Sequence, residues 1–133
     1  MKLTKLLVIG LLAVPILTVS CGEDYQAVSD HISITAEDFK FGPAEWHVPV
    51  GEFEVEFMNH GNIEHEWAVL VKGARISTED EFEEELVLFE VEKQPPGAMI
   101  TETFEITEPG EYQVICALDG HFNAGMQGTL IVS

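Results

Sequence analysis

The residues of this chain best suited to chemistry lie near its C-terminus. Cys116, His121 and Met126 share one stretch, Cys116-Ala117-Leu118-Asp119-Gly120-His121-Phe122-Asn123-Ala124-Gly125-Met126, with four residues between successive members. Thiolate, imidazole and thioether together are a ligand set for a soft or borderline transition ion. A copper site of the electron-transfer kind takes two imidazoles and a thiolate in one plane with a weak axial thioether. Three of those four groups stand here, and the second imidazole must come from His31, His47, His60 or His65. His65 is preferred because it ends a loop and opens a strand-like run, where a sandwich gathers its functional loops. His60 lies in the same loop, and spacing alone does not separate the two. His31 and His47 begin or flank strands and read as surface or edge histidines.

Each residue also has a plainer reading. Alone, Cys116 is a buried core thiol, His121 a surface histidine, and Met126 a gap-filler beside Phe122. Zinc held by one Cys and two His is the competing metal reading, but thioether is a poor zinc ligand and no carboxylate takes its place in the stretch.

The elements that would position these groups are strands. Glu52-Phe53-Glu54-Val55-Glu56-Phe57-Met58 alternates strictly, which puts Phe53, Val55 and Phe57 on a core and the three Glu in water. Ile32 and Ile34 alternate within residues 31–36, and Glu66 to Val71 is nearly continuous apolar strand. Pro49 makes residues 46–51 an edge or a bend. Residues 100–106 and 111–116 continue the pattern across the turn Glu108-Pro109-Gly110, and Thr129 to Val132 closes the chain. Between them, residues 78–91 change character. Thr78 with Glu81 makes a capping box, and Phe82, Leu86 and Phe89 recur at helical spacing, which predicts a helix over 78–91. Its acids read as a solvated face or, alternatively, a docking patch for a basic partner. About seven short strands and one helical insertion predict an all-β, antiparallel Greek-key β-sandwich.

The first twenty residues read as something other than fold. Lys2 and Lys5 precede an apolar run from Leu6 to Val19 that is shorter than a membrane span, the pattern of an export signal. It ends on Leu17-Thr18-Val19-Ser20-Cys21-Gly22, which resembles a bacterial lipoprotein signal with Thr18 where Leu is usual. The resemblance implies cleavage before Cys21 and lipidation of that residue, with simple cleavage as the alternative. The organisation expected is a signal peptide over 1–20, a tether over 21–30 and one domain over 31–133. Export would favour a Cys21–Cys116 disulfide, but the lipid anchor and the ligand stretch each offer one of the two thiols another use. The 133 residues carry 6 Lys and Arg against 24 Asp and Glu, for a net charge of −18. Losing two lysines and no acid with the leader would take that to −20. Such a surface repels nucleic acid and favours basic proteins or cations.

The C-terminal pattern is also similar to that of the cupredoxins, the small blue-copper proteins, and of the auracyanin and rusticyanin groups in its loop spacing. The matching residues are Gly110-Glu111-Tyr112-Gln113-Val114-Ile115-Cys116, then His121, Met126 and Gly128-Thr129, with Asn59 six residues before His65. Over residues 32–133 the resemblance implies one copper ion, with Cys116, His65 and His121 as in-plane ligands and Met126 as the axial one. It further implies a one-electron carrier rather than an enzyme, a monomer, and redox-protein partners, cytochromes among them. Phe122, Ala124 and Ile63 would form an apolar electron port beside His121. Glu66 departs from the family, which often has Asn or Ser there to tie the two ligand loops together. A carboxylate at that place would disfavour the reduced, less positive ion. The rival functions are a copper-delivery protein, and a multicopper oxidase or nitrite reductase. The second needs a His-x-His or interdomain ligands that this chain lacks.

Overall fold

The computed structural model describes residues 27–133. The stretch expected to be an export signal, Cys21 and the first part of the expected tether lie outside the described residues. Residues 29 and 30 are already tied to the sandwich, because Ser29 N–H donates to the His47 carbonyl and Glu54 N–H to that of Asp30.

Among the described residues, nine strands form two sheets. One contains β1 (His31–Glu37), β2 (Lys40–Gly42), β4 (Gly51–Asn59) and β7 (Met99–Ile106), in the order β2-β1-β4-β7. The other contains β3 (Glu45–Val48), β5 (His65–Leu70), β6 (Val87–Gln94), β8 (Gly110–Ile115) and β9 (Gln127–Val132), in the order β3-β9-β8-β5-β6. The sandwich is as expected, but its sheets are mixed. β1 pairs parallel with β4, and β3 pairs parallel with β9. Both parallel pairs join strands far apart in sequence, which parallel pairing needs because a tight turn cannot connect them. β3 is an edge strand that stops just before Pro49, in keeping with the donor that proline lacks.

Phe53, Val55 and Phe57 of β4 meet Trp67, Val69, Tyr112, Val114 and Leu130 of the facing sheet in one buried core. At the open side of the sandwich, where β6 and β7 are the two edges, Phe89 stacks on Phe104 with ring centroids 4.6 Å apart.

The insertion differs from the expected helix. Residues Glu79–Glu81 and Glu84–Leu86 each make a single 3-10 turn, and the chain is β-strand from Val87 onward. The spacing of Phe82, Leu86 and Phe89 has another cause. Phe82 and Leu86 pack on a second cluster outside the sheet, whereas Phe89 belongs to the main core. Thr78 makes no side-chain cap. Glu81 reaches back instead to the N–H of Ser77, at 2.6 Å.

Candidate metal centre

His65 opens β5 and Cys116 directly follows β8, the strand hydrogen-bonded to it, so two ligand candidates arrive at the same end of one sheet. The chain then turns back through residues 117–125 to β9. Gly120 (φ +82°) and Gly125 (φ +106°) take the left-handed backbone of this loop, a conformation L side chains rarely adopt. The loop closes on itself: Cys116 N–H donates to the Met126 carbonyl at 3.1 Å and Met126 N–H to the His121 carbonyl at 3.0 Å.

The result is a convergent set of donors. His121 Nδ1 lies 3.3 Å from Cys116 Sγ and 3.3 Å from His65 Nδ1, and the three donor atoms all lie within 4.8 Å of one another. Cys116, His65 and Met126 are fully buried and His121 is nearly so. Nitrogen and sulfur donors bonded to one first-row ion stand roughly 3.3–3.6 Å apart around it. The two 3.3 Å separations match that spacing, and two imidazoles with a thiolate and a thioether are the chemistry of copper rather than zinc.

Burial disfavours charge on Cys116 and on His121 before metal arrives. Burial pushes the Cys116 thiol up to about 11, partly offset by the backbone N–H groups of Glu66 and Leu118 and reinforced by the Glu66 and Glu79 charges. Burial also lowers His121, with the neighbouring His65 ring adding to it and the acids Glu79 and Asp38 opposing. His121 therefore keeps a free lone pair at neutral pH.

His60 is exposed, its backbone N–H held by the Ala36 carbonyl, and it takes no part in the cluster. Exposed His31 pairs with Glu54 at 2.7 Å and half-buried His47 with Glu45 at 2.8 Å, both away from the cluster. Cys116 carries no disulfide among the described residues. Glu66 makes the link that the resemblance implied for an Asn or Ser: its Oε1 accepts from the N–H of Ala117 at 2.8 Å and ties the two ligand-bearing segments together. Burial raises its pKa, with the charges of Glu90 and Glu84 acting in the same direction.

Phe122 is not part of an exposed port. It is 5% exposed and packs on Ile115, Ile76 and their neighbours under the insertion. The aromatic ring beside His121 is Phe39, 43% exposed, at 5.3 Å in an edge contact. Nor did sequence pattern point to Asp38, Phe39 or Glu79. Asp38 Oδ1 lies 3.3 Å from His65 Nε2. Glu79 accepts from the N–H groups of Gly120 (3.0 Å) and Asn123 (3.2 Å) in the ligand loop. These are contacts between residues 27 to 44 apart in sequence, and the stretch around residues 37–40 contains no Gly, Asn or Pro to advertise a turn. Asn59, which sits six residues before His65, is fully buried and shapes the intervening loop. Its amide donates to the carbonyls of Ile63 and Gln94, and its Oδ1 accepts from Gly61 N–H.

Known proteins share this fold. The sandwich resembles a dithionite-reduced auracyanin from Roseiflexus castenholzii, with a TM-score of 0.70 and 22% identity over 80% of this chain and 99% of that one. It likewise resembles auracyanin A, a "blue" copper protein from Chloroflexus aurantiacus, with a TM-score of 0.66 and 22% identity over 77% and 98%. In sequence, the chain is 30% identical over 108 residues to the copper-resistant cuproprotein CopI of Rubrivivax gelatinosus. That match takes in 74% of this chain but spans only 63% of the relative's length. The sequence profile of the cupredoxin-like domain matches residues 8–132. With that match covering nearly the whole sequence, and a buried donor set suited to one copper ion at the end of the sandwich, the chain belongs to the cupredoxin-like family.

Proposed function

We propose that this protein is an exported, membrane-anchored electron carrier that passes one electron between redox proteins, and that His65, Cys116, His121 and Met126 would hold its copper. The observation that carries the reading is the preformed, buried convergence of His65, Cys116 and His121. Bound copper would supply a one-electron couple, and the chain's task is to keep the ligands still through the change of charge. Gly120 and Gly125 close the loop, Glu66 ties Ala117 to the His65 strand, and Glu79 holds Gly120 and Asn123. A site that hardly rearranges costs little each time the electron moves. With a net charge of −18, the partner surface expected is basic. The organisation that goes with this function is a signal over 1–20, a lipid on Cys21, a tether to residue 30 and the copper domain over 31–133. No substrate turnover is expected, and oxidase or nitrite reductase activity of the purified protein would overturn the carrier reading.

The deciding experiment is the optical and EPR spectrum of the copper-loaded protein. An intense thiolate-to-copper band is expected. Cys116→Ser and His65→Ala should remove it, while His60→Ala should leave it. A colourless Cu(II) complex overturns the reading, and loss of the band in His60→Ala alone reassigns the second imidazole.

A second reading, copper delivery, is favoured by the similarity to a copper-resistant cuproprotein. Delivery needs exchangeable metal, whereas the donors here are buried. Rapid loss of Cu(I) to a modest chelator would select delivery, and retention would select electron transfer.

A further inference from the structure

We propose that Asp38 is a positioning residue of the metal centre: its carboxylate accepts a hydrogen bond from the Nε2–H of His65 and so leaves Nδ1, the atom facing Cys116 and His121, as the unprotonated donor. The inference rests on the reading of His65 as a ligand.

The case starts from what each atom can do. A neutral imidazole has one N–H and one lone pair, and whichever nitrogen finds an acceptor keeps the hydrogen. His65 Nδ1 faces His121 Nδ1 at 3.3 Å, a nitrogen that can itself accept, so this contact alone does not choose a tautomer. Asp38 does choose. Its ionised carboxylate only accepts, and Oδ1 stands 3.3 Å from Nε2 on the far side of the ring. Fixing the outer nitrogen of a metal-binding histidine in this way sets both its tautomer and its ring orientation.

The carboxylate is itself held in place. Asn62 donates to both of its oxygens, through the backbone N–H to Oδ1 and through Nδ2 to Oδ2, each at 2.8 Å. Gly61 makes the approach possible. A Cβ there would collide with Asp38 Oδ1 and would sit 2.6 Å from His65 Nε2. The next residue, Phe39, adopts φ +66°, which is unfavourable for a bulky side chain and persists only where the surroundings require it. Its consequence is visible: two successive residues of the β1–β2 turn reach the two imidazoles, Asp38 touching His65 and Phe39 touching His121. The turn belongs to the sheet that supplies none of the four ligands, so it acts as a third support for the centre from the opposite sheet.

The test reads the ring nitrogens of metal-free, 15N-labelled protein by NMR, together with copper affinity. In the native chain His65 should carry its hydrogen on Nε2. Asp38→Asn, which keeps an acceptor oxygen, should retain that pattern with copper affinity changed by well under tenfold. Asp38→Ala should show a mixture of both tautomers and bind copper about 10- to 100-fold more weakly. An unchanged ring and unchanged affinity in Asp38→Ala overturn the proposal. Should Asp38→Ala fail to fold, Asn62→Ala loosens the carboxylate from an exposed position, and here too an all-Nε2–H ring with native affinity overturns it. The tautomer is measured without metal, so the two readings fail separately. A missing thiolate-to-copper band in the native protein counts against the ligand set, and an unmoved ring counts against Asp38.

Discussion

The two sheets of this sandwich are built differently. In the first, β4 alternates between buried Phe53, Val55 and Phe57 and exposed or half-exposed Glu52, Glu54 and Glu56, so one face is wet. In the second, β5 and β8 are buried on both faces: Trp67, Val69, Tyr112 and Val114 point into the main core, while Ala68, Leu70 and Ile115 point outward into another cluster. That outer cluster is covered by Ile76, Phe82, Leu86 and Phe122, and Gln113 braces it through paired bonds with the Ile76 backbone, at 2.8 and 3.1 Å. The ligand-bearing ends belong to the dry sheet. A strand packed on both faces has less freedom to shift than one packed on a single face, and a centre that must keep its geometry gains from being mounted there.

The largest effects should come from the cores themselves. Phe57→Ala, in the layer between the sheets, should cost about 3–5 kcal/mol, and Leu70→Ala, on the outer face of the dry sheet, about 2–5 kcal/mol. Urea midpoints of the metal-free protein measure both. The sharper difference is local: Leu70→Ala should speed amide exchange in the covering segment 74–86 beyond what its global loss explains, and Phe57→Ala should not. A Leu70→Ala cost below about 1 kcal/mol would mean that the outer cluster is ordinary surface and that the two sheets are alike.

The same contrast explains what could be read from sequence. The wet sheet writes itself as alternation, so Phe53, Val55 and Phe57 were legible at once. The dry strands β5 and β8 read as apolar runs, and the ligand loop was legible because Cys116, His121 and Met126 are close in sequence. The cover was not legible. Phe82 and Leu86 mimic helical spacing although Phe82 follows the first 3-10 turn in extended backbone and Leu86 ends the second, with β6 beginning immediately after it. Two mistakes share that cause: the helix over 78–91 and a solvent-facing Phe122 both assume that the outer face of the second sheet is open. The supports Asp38, Glu66 and Glu79 act through contacts 27 to 51 residues distant in sequence, which no local period encodes.

An intermediate effect should follow from mounting the thiol on the dry side. The ordinary value for Cys is 9.0, and burial holds Cys116 near 11. Between those values the unfolded chain loses its thiol proton while the folded chain keeps it, so the unfolded state is favoured increasingly as pH rises. Below pH 9 the stabilisation is fully present, and through pH 11 it is lost, on the order of 1–3 kcal/mol. Chemical denaturation of the metal-free protein at several alkaline pH values should show that decline, and it should be shallower in Cys116→Ala. Equal slopes would mean that the sulfur is better solvated than its burial indicates.

The smallest expected effect separates two carboxylates that composition treats alike. Glu54 lies on the wet face and pairs with exposed His31, and its removal should change stability by no more than about 0.5 kcal/mol. Glu79 lies in the cover of the dry sheet and accepts three bonds from the ligand loop: from Gly120 N–H, from Asn123 N–H and, at 3.1 Å, from the Asn123 amide. Partial exposure keeps each bond modest, so Glu79→Ala should cost roughly 1 kcal/mol in global stability. Its local consequence should be larger, because the two backbone donors lie either side of His121. Amide exchange at Gly120 and Asn123 should rise about tenfold or more while exchange in β4 follows only the global change. If Glu54→Ala and Glu79→Ala alter loop exchange equally, the cover exerts no hold on the ligand loop, and the two faces differ in burial alone.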